Sequence, residues 1–394
     1  MKILLLLLVP FAADWPQFLG PTRDGVAPGP KPGTKPELLW KHDVGHGFAG
    51  PVIADGKLIL FERLKDRESL TAFDVNTGAK VWTSDYETKY QDDFGFDDGP
   101  RSAPTVSNGK IYTFGAEGML TCLNASSGKK IWNVDTRAKY GFHKGWFGAA
   151  GAPLVEGSLV MINAGGTNGA GIVAFDRETG KQAWTSTEDE ASYSSGMVAT
   201  IGGERHGLFL TRAGLVDVEP LTGKVRFQFP WRSRNDASVN AATPIVVGDL
   251  VFISSSYRTG AALLKVSGSK VEKVWSNDES LSNHYSTSVV KDGFLYGFHG
   301  RQENGQALRC VELKTGQVKW TDDDFGAGTL MLIDDQLLVL RENGELVWAA
   351  ASPKALSISA RAPLFQGVVR AYPAYAGGVY CARNDKTLGC WRLR

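Results

Sequence analysis

The side chains that could do chemistry fall into three groups. The imidazoles come first. His143 and His284 lie in separate polar segments, and either could act as a general base, as could Asp189. Carboxylates crowd residues 92–101, where Asp92, Asp93, Asp97 and Asp98 precede Arg101. Their spacing matches no calcium loop, so Arg101 or arginines from other segments are their expected partners. The third group is mixed: Lys144, Tyr193, Arg234, Asn240, Tyr285, Arg301 and Arg370 all sit in polar, aromatic-bearing stretches. No Gly-x-Ser-x-Gly, His-Glu-x-x-His or phosphate loop occurs, and no metal ligand set is expected. Residues 45–50 spell G-x-G-x-x-G, but Pro51 and a strand follow instead of a helix, so the dinucleotide reading fails.

These residues need elements to position them, and the elements repeat. Residues 72–82 (AFDVNTGAKVW), 122–132 (CLNASSGKKIW) and 174–184 (AFDRETGKQAW) are copies of one motif. Weaker copies end at Phe227, Trp275 and Trp320, and a seventh, at residues 346–358, lacks its terminal tryptophan. Each unit reads as four short strands, with tight turns such as Asp55-Gly56 and Asn108-Gly109 opening the second. Four antiparallel strands per period of about 45 residues mark a β-propeller. No window shows helical periodicity. First strands near residues 50, 103, 152, 196, 242, 287, 329 and 374 make eight units. The last unit has three strands of its own, and residues 36–43 form an orphan tryptophan-bearing strand. The fold is therefore read as all-β, an eight-bladed propeller over residues 36–394 whose last blade the N-terminal strand closes.

The tryptophans Trp40, Trp82, Trp132, Trp184, Trp275 and Trp320 are assigned to blade-to-blade docking. Asp74 and Asp176 are assigned to capping of turn N–H groups. The long, variable segments all link the fourth strand of one blade to the first of the next, or the second to the third. They should converge on one funnel-shaped face, where the candidate residues would meet.

The motif A-x-D-x-x-T-G-K-x-x-W resembles the pyrroloquinoline quinone (PQQ) repeat. That blade type is found in quinoprotein alcohol dehydrogenases and in propeller lipoproteins of outer-membrane assembly. Residues 14–21, DWPQFLGP, resemble the start of exported bacterial propellers with the same repeat. The resemblance implies a PQQ-like propeller fold and raises PQQ and calcium as cofactors. The dehydrogenases, however, typically carry an adjacent-cysteine disulfide against the cofactor, and many add a Cys-x-x-Cys-His segment. Cys122, Cys310, Cys381 and Cys390 supply neither pattern. The family's calcium ligands find no matching positions, so no cofactor is assigned.

Cys381 and Cys390 flank a turn that could set them opposite each other on a hairpin. A disulfide is open to them, but two small buried thiols is the preferred reading. Lys2, the apolar run at residues 3–11 and Ala12-Ala13 read as a signal peptide over residues 1–13, followed by a Pro/Gly-rich segment to residue 35. The apolar run is too short to span a bilayer, so no transmembrane span is expected after cleavage. The 43 basic and 42 acidic residues nearly cancel, giving no reason to expect nucleic acid. The combined expectation is an exported, periplasmic or secreted monomer. Its role is binding or scaffolding in the cell envelope, toward a protein partner or a small polar ligand. A quinoprotein dehydrogenase, and a hydrolase or lyase working on a small polar substrate in the funnel, are the alternatives.

Overall fold

The computed structural model describes residues 14–141, 145–235, 238 and 240–394. Eight four-stranded antiparallel sheets stand around a central axis. Blade I runs Val52–Ala54, Lys57–Leu64, Arg67–Asp74 and Lys80–Glu87. Blade VIII takes Ala374–Ala376, Val379–Arg383 and Thr387–Leu393 from the C-terminus and Pro36–Asp43 from the N-terminus. First strands touch at five of the eight seams, blade I with blade VIII among them, and shared core clusters join blades IV–V, V–VI and VII–VIII, so the ring is closed. Within a blade the burial pattern changes outward. Lys57–Leu64 and Arg67–Asp74 are buried almost throughout, as sheets covered on both faces must be, whereas Lys80–Glu87 alternates. Among the described residues two short helices interrupt the strands, Thr136–Tyr140 and the 3₁₀ turn Gln302–Asn304. Each is too short to show a period in the sequence.

Every blade carries a register shift between its third and fourth strands, next to the aromatic position. Such a bulge twists the outer strand and re-aims its side chain. The indole then reaches the next blade. Trp132 Nε1 donates to the Arg177 carbonyl (3.1 Å), and Trp40, on the closing strand, donates to that of Val75 (2.9 Å). Trp82, Trp184, Trp275 and Trp320 make the same kind of bond to Ala125, Pro220, Leu313 and Ser352. The turn that receives the ring is pre-formed. Asp176 Oδ1 accepts from the Thr179 hydroxyl and from the backbone N–H groups of Thr179 and Glu178, and these bonds hold its carboxyl below the ordinary range. Gly180 follows at φ 71°, and a Cβ there would lie 2.7 Å from the Trp132 ring. Glycine is needed twice over, for the left-handed backbone and for the close approach.

Blade VII keeps the volume and swaps the strands. Elsewhere a residue such as Ala72 or Cys122 on the third strand faces tryptophan on the fourth; here Trp348 on the third strand faces Ala360 on the fourth. The aromatic missing from the seventh motif has moved to the neighbouring strand, where it is fully buried. In blade VIII, Cys381 and Cys390 are paired across the hairpin with Cα atoms 4.1 Å apart and form a disulfide. The buried-thiol reading does not hold for this pair, because the turn at residues 384–387 aligns them in register. Cys122 and Cys310 are buried thiols.

The segment before the first blade occupies the channel. Trp15 pairs with Ile53 of blade I, and the Val106 N–H of blade II donates to Pro16 O. The chain turns at residues 17–25 and descends along blade VII, where Val26–Ala27 adds a parallel strand to Gly328–Ile333. At the turn, the buried Arg23 guanidinium donates to the Pro153 carbonyl (2.7 Å), and burial pulls its pKa down to about 9. Part of the stretch that reads in sequence as a Pro/Gly-rich segment is therefore an axial plug.

Blade IV holds a fully buried polar pair, with His206 Nδ1 2.6 Å from Asp217 Oδ2. Burial raises the Asp217 carboxyl to about 6. The folded state then binds this proton more tightly than the unfolded chain, so the group's contribution is greatest below its unfolded pKa near 4 and is lost as pH rises through about 6. Asp217→Asn should flatten stability in that window, measured by urea unfolding at several pH values. Trp132→Ala should cost about 3 kcal/mol, and Trp132→Phe, which loses chiefly the indole hydrogen bond, about 1 kcal/mol by the same assay. Equal losses from the two substitutions would contradict the docking geometry.

Candidate functional site

The links between blades meet over the axis and form a cleft of about 200 Å³. Seven of the eight links contribute; the exception runs from blade VI to blade VII, and its Phe325 turns into the core. Phe48, Phe96, Phe147, Tyr193 and Tyr257 supply aromatic wall. The floor is Phe18, from the axial plug, packed edge-on against Tyr372 with ring centroids 4.9 Å apart. Tyr372 is held in turn by its hydroxyl, which accepts from the Thr287 N–H and donates to Ser286 Oγ (3.3 Å).

Two guanidinium groups flank this cleft. Arg101 lies over Phe48 and Phe147, at 5.4 and 5.6 Å from the ring centroids. Arg370 lies over Phe48 and Phe96, at 5.6 and 5.7 Å. Both are tethered from behind. Arg101 donates to Asp92 Oδ2 at 2.6 Å, and Arg370 Nε donates to Glu342 Oε1 at 3.1 Å, an oxygen that also accepts from the Tyr285 hydroxyl. Stacked, anchored guanidiniums are pre-organised for a carboxylate or other oxyanion.

Opposite them runs a polar chain. The Gln302 side-chain oxygen accepts from His284 Nδ1–H, which leaves Nε2 to accept from the Tyr257 hydroxyl at 2.8 Å. Burial holds the His284 pKa below its ordinary value, so the ring is neutral near pH 7. A neutral imidazole bonded to a phenol at a cleft wall can take up and return a proton.

The residues singled out in the sequence divide accordingly. Arg101, Tyr193, His284, Tyr285 and Arg370 line the axial cleft. Arg234 and Arg301 line a neighbouring groove. Asp97 is buried and accepts from the Gly99 N–H at 2.6 Å, while Asp93 is exposed and outside the cleft. Asn240 is spent on structure, donating to the Thr211 carbonyl and accepting from Ser255 Oγ. Asp189 accepts from Thr211 Oγ1 at 3.0 Å, away from the cleft, so it is not placed to act there as a base. His143 and Lys144 lie outside the described residues.

Sequence reasoning placed Tyr257, Gln302 and Tyr372 in the converging loops without singling them out, and passed over Phe18 and Phe48 as site residues. For Tyr257 a signal existed. It and Arg258 are consecutive residues between two apolar runs where a hairpin must turn, and both adopt positive φ, 65° and 63°. Phe18 carried no such signal, because nothing local says that the plug reaches the mouth.

Among the described residues no group of three or more His, Cys, Asp or Glu side chains could hold a metal ion, and no helix is long and apolar enough to cross a membrane. The family model described as outer membrane protein assembly factor BamB matches residues 66–322. Among curated proteins, the chain is 31% identical to the quinohemoprotein alcohol dehydrogenase ADH-IIG of Pseudomonas putida over 154 residues. That match covers 37% of this chain and only 21% of the enzyme. It is 22% identical to outer membrane protein assembly factor BamB of Shewanella oneidensis over 315 residues, 75% of this chain and 73% of that protein. Among solved structures, the quinohemoprotein alcohol dehydrogenase of Comamonas testosteroni superposes with TM-score 0.70 at 14% identity, covering 97% of this chain and 80% of that one. BamB of Moraxella catarrhalis does so with TM-score 0.66 at 13% identity, covering 91% and 98%. At these identities the structures share the fold alone. The family match, spanning well over half of the sequence, shows that the chain belongs to the BamB family of PQQ-repeat propellers.

Proposed function

We propose that this chain is an exported envelope protein that binds, at the mouth of its propeller, a ligand with a flat apolar face and at least one anionic group. The observation that carries the reading is the pair of arginines, Arg101 and Arg370, stacked on the aromatic wall of a cleft closed below by Phe18 and Tyr372. The lysine and apolar run at the N-terminus support export. The outer-membrane assembly named in the family description supports an envelope protein as the partner that supplies the group.

The donor set speaks against a calcium–quinone centre. Among the described residues Glu303 is the one carboxylate lining the cleft; it pairs with Arg301 at 3.0 Å and shares the cleft with two guanidiniums that would repel a cation. The other carboxylates at the rim are committed. Asp92 accepts from Arg101 and from the Phe94 N–H, and Glu342 from Tyr285 and Arg370. The disulfide lies within blade VIII, not over the cleft. A second reading, an acid–base enzyme acting on a small polar substrate, is favoured by the Tyr257–His284–Gln302 chain alone.

Calorimetry with aromatic carboxylates, an acidic aromatic tetrapeptide and the quinone itself, with and without calcium, tests the binding reading. Calcium-independent binding that Arg370→Gln weakens about tenfold is the expected result, in line with loss of one charge-assisted contact. Stoichiometric, calcium-dependent quinone uptake would overturn it. His284 ring resonances followed by NMR should titrate below the ordinary value of about 6.5. Turnover of a polar substrate that vanishes in Tyr257→Phe while binding persists would instead favour the enzyme.

A further inference from the structure

We propose that the groove beside the axial cleft, on the far side of Tyr257, is a separate binding site for a small ligand bearing two or more oxyanion groups. This does not depend on the axial cleft being occupied. The groove lies among the links of blades IV, V and VI and encloses about 950 Å³, near the top of the range for small-molecule sites, about 300–1,000 Å³. Its charge is one-sided. Among the described residues, Arg232, Arg234, Arg258 and Arg301 line it against one carboxylate, Asp278, which accepts a hydrogen bond from the Ser282 hydroxyl. Arg301 is paired with Glu303 (3.0 Å) and stacked on the Tyr257 ring at 4.4 Å, which fixes it as a wall. Arg234 and Arg258 are exposed and form no ion pair or hydrogen bond among the described residues. Two exposed guanidiniums held in a concave site with no ion pair among the described residues are unfavourable for the empty protein and favourable for an anion.

Two further features bear on the groove. Tyr257 and Arg258 both hold left-handed backbone, a conformation costly for non-glycine residues. Holding it puts Tyr257 in the wall shared by the two sites and Arg258 in the groove. His299 adds a neutral donor. Its Nδ1 accepts from the Ser282 N–H at 3.1 Å, so Nε2 carries the proton, and burial holds its pKa down to about 4. Guanidinium forks and an imidazole N–H match sulfate, phosphate and carboxylate oxygens, which share this recognition chemistry.

Calorimetry at low salt with tripolyphosphate, a sulfated disaccharide and a trimeric uronate separates the three sources. At least one should bind, and the double variant Arg234→Ala/Arg258→Ala should weaken it about tenfold or more while leaving the melting temperature unchanged, since both side chains are exposed. Lys129→Ala/Lys130→Ala, which removes the same charge from a remote exposed turn, should leave binding intact. The proposal is overturned if none of the three binds, or if the two double variants weaken binding equally, which would mean diffuse attraction. Aromatic-carboxylate binding at the axial cleft is read separately with Arg370→Gln, so either site can fail alone.

Discussion

The fold depends on one contact made again at almost every seam. An indole leaves the outer strand of a blade, lies on the glycine of the next blade's turn, and donates its N–H to a carbonyl in that turn. It needs three things together: a bulge to aim the ring, an aspartate-type cap to shape the turn, and a glycine to let the ring close in. Where one is missing, the blade adjusts. Phe227 serves in blade IV without an N–H to donate, and Trp348 serves in blade VII from the adjacent strand.

That contact explains why the architecture was legible in the sequence. Aspartate, glycine and tryptophan at fixed offsets are its chemical record, repeated in one chain, so blade number, strand count and the closing strand could be counted. The bulges could not, because the extra residue has no composition of its own. Blade VII's tryptophan was visible only as an absence, since the motif describes one strand at a time and the compensation crosses two.

The mouth was legible only in part. The polar links were seen to converge, and Arg101, Tyr193, His284, Tyr285 and Arg370 do meet over the axis. Asp189 and Asn240 come from the same kinds of segment but satisfy backbone groups and hydroxyls nearby. Nothing in residue type separates the two fates; only the direction of each link does. Phe18 was invisible for a different reason. It comes from a segment with no repeat, and its place is set by long-range pairing to Ile53 at one end and Leu332 at the other.

The closing strand also sets an order of events. Trp40 pairs with Cys390, so the last blade joins residues from nearly opposite ends of the chain. Neighbouring blades can form from local contacts as the polypeptide grows, as in other repeat arrays. The ring cannot shut until its final strands exist, and the loop to be closed then is almost the whole protein. Until that moment the first and last blades present bare edges, and the plug has only part of a channel to enter. The disulfide does not bridge that closure; it joins the two C-terminal strands of blade VIII, and so braces the strand Thr387–Leu393 against which the N-terminal strand must pair.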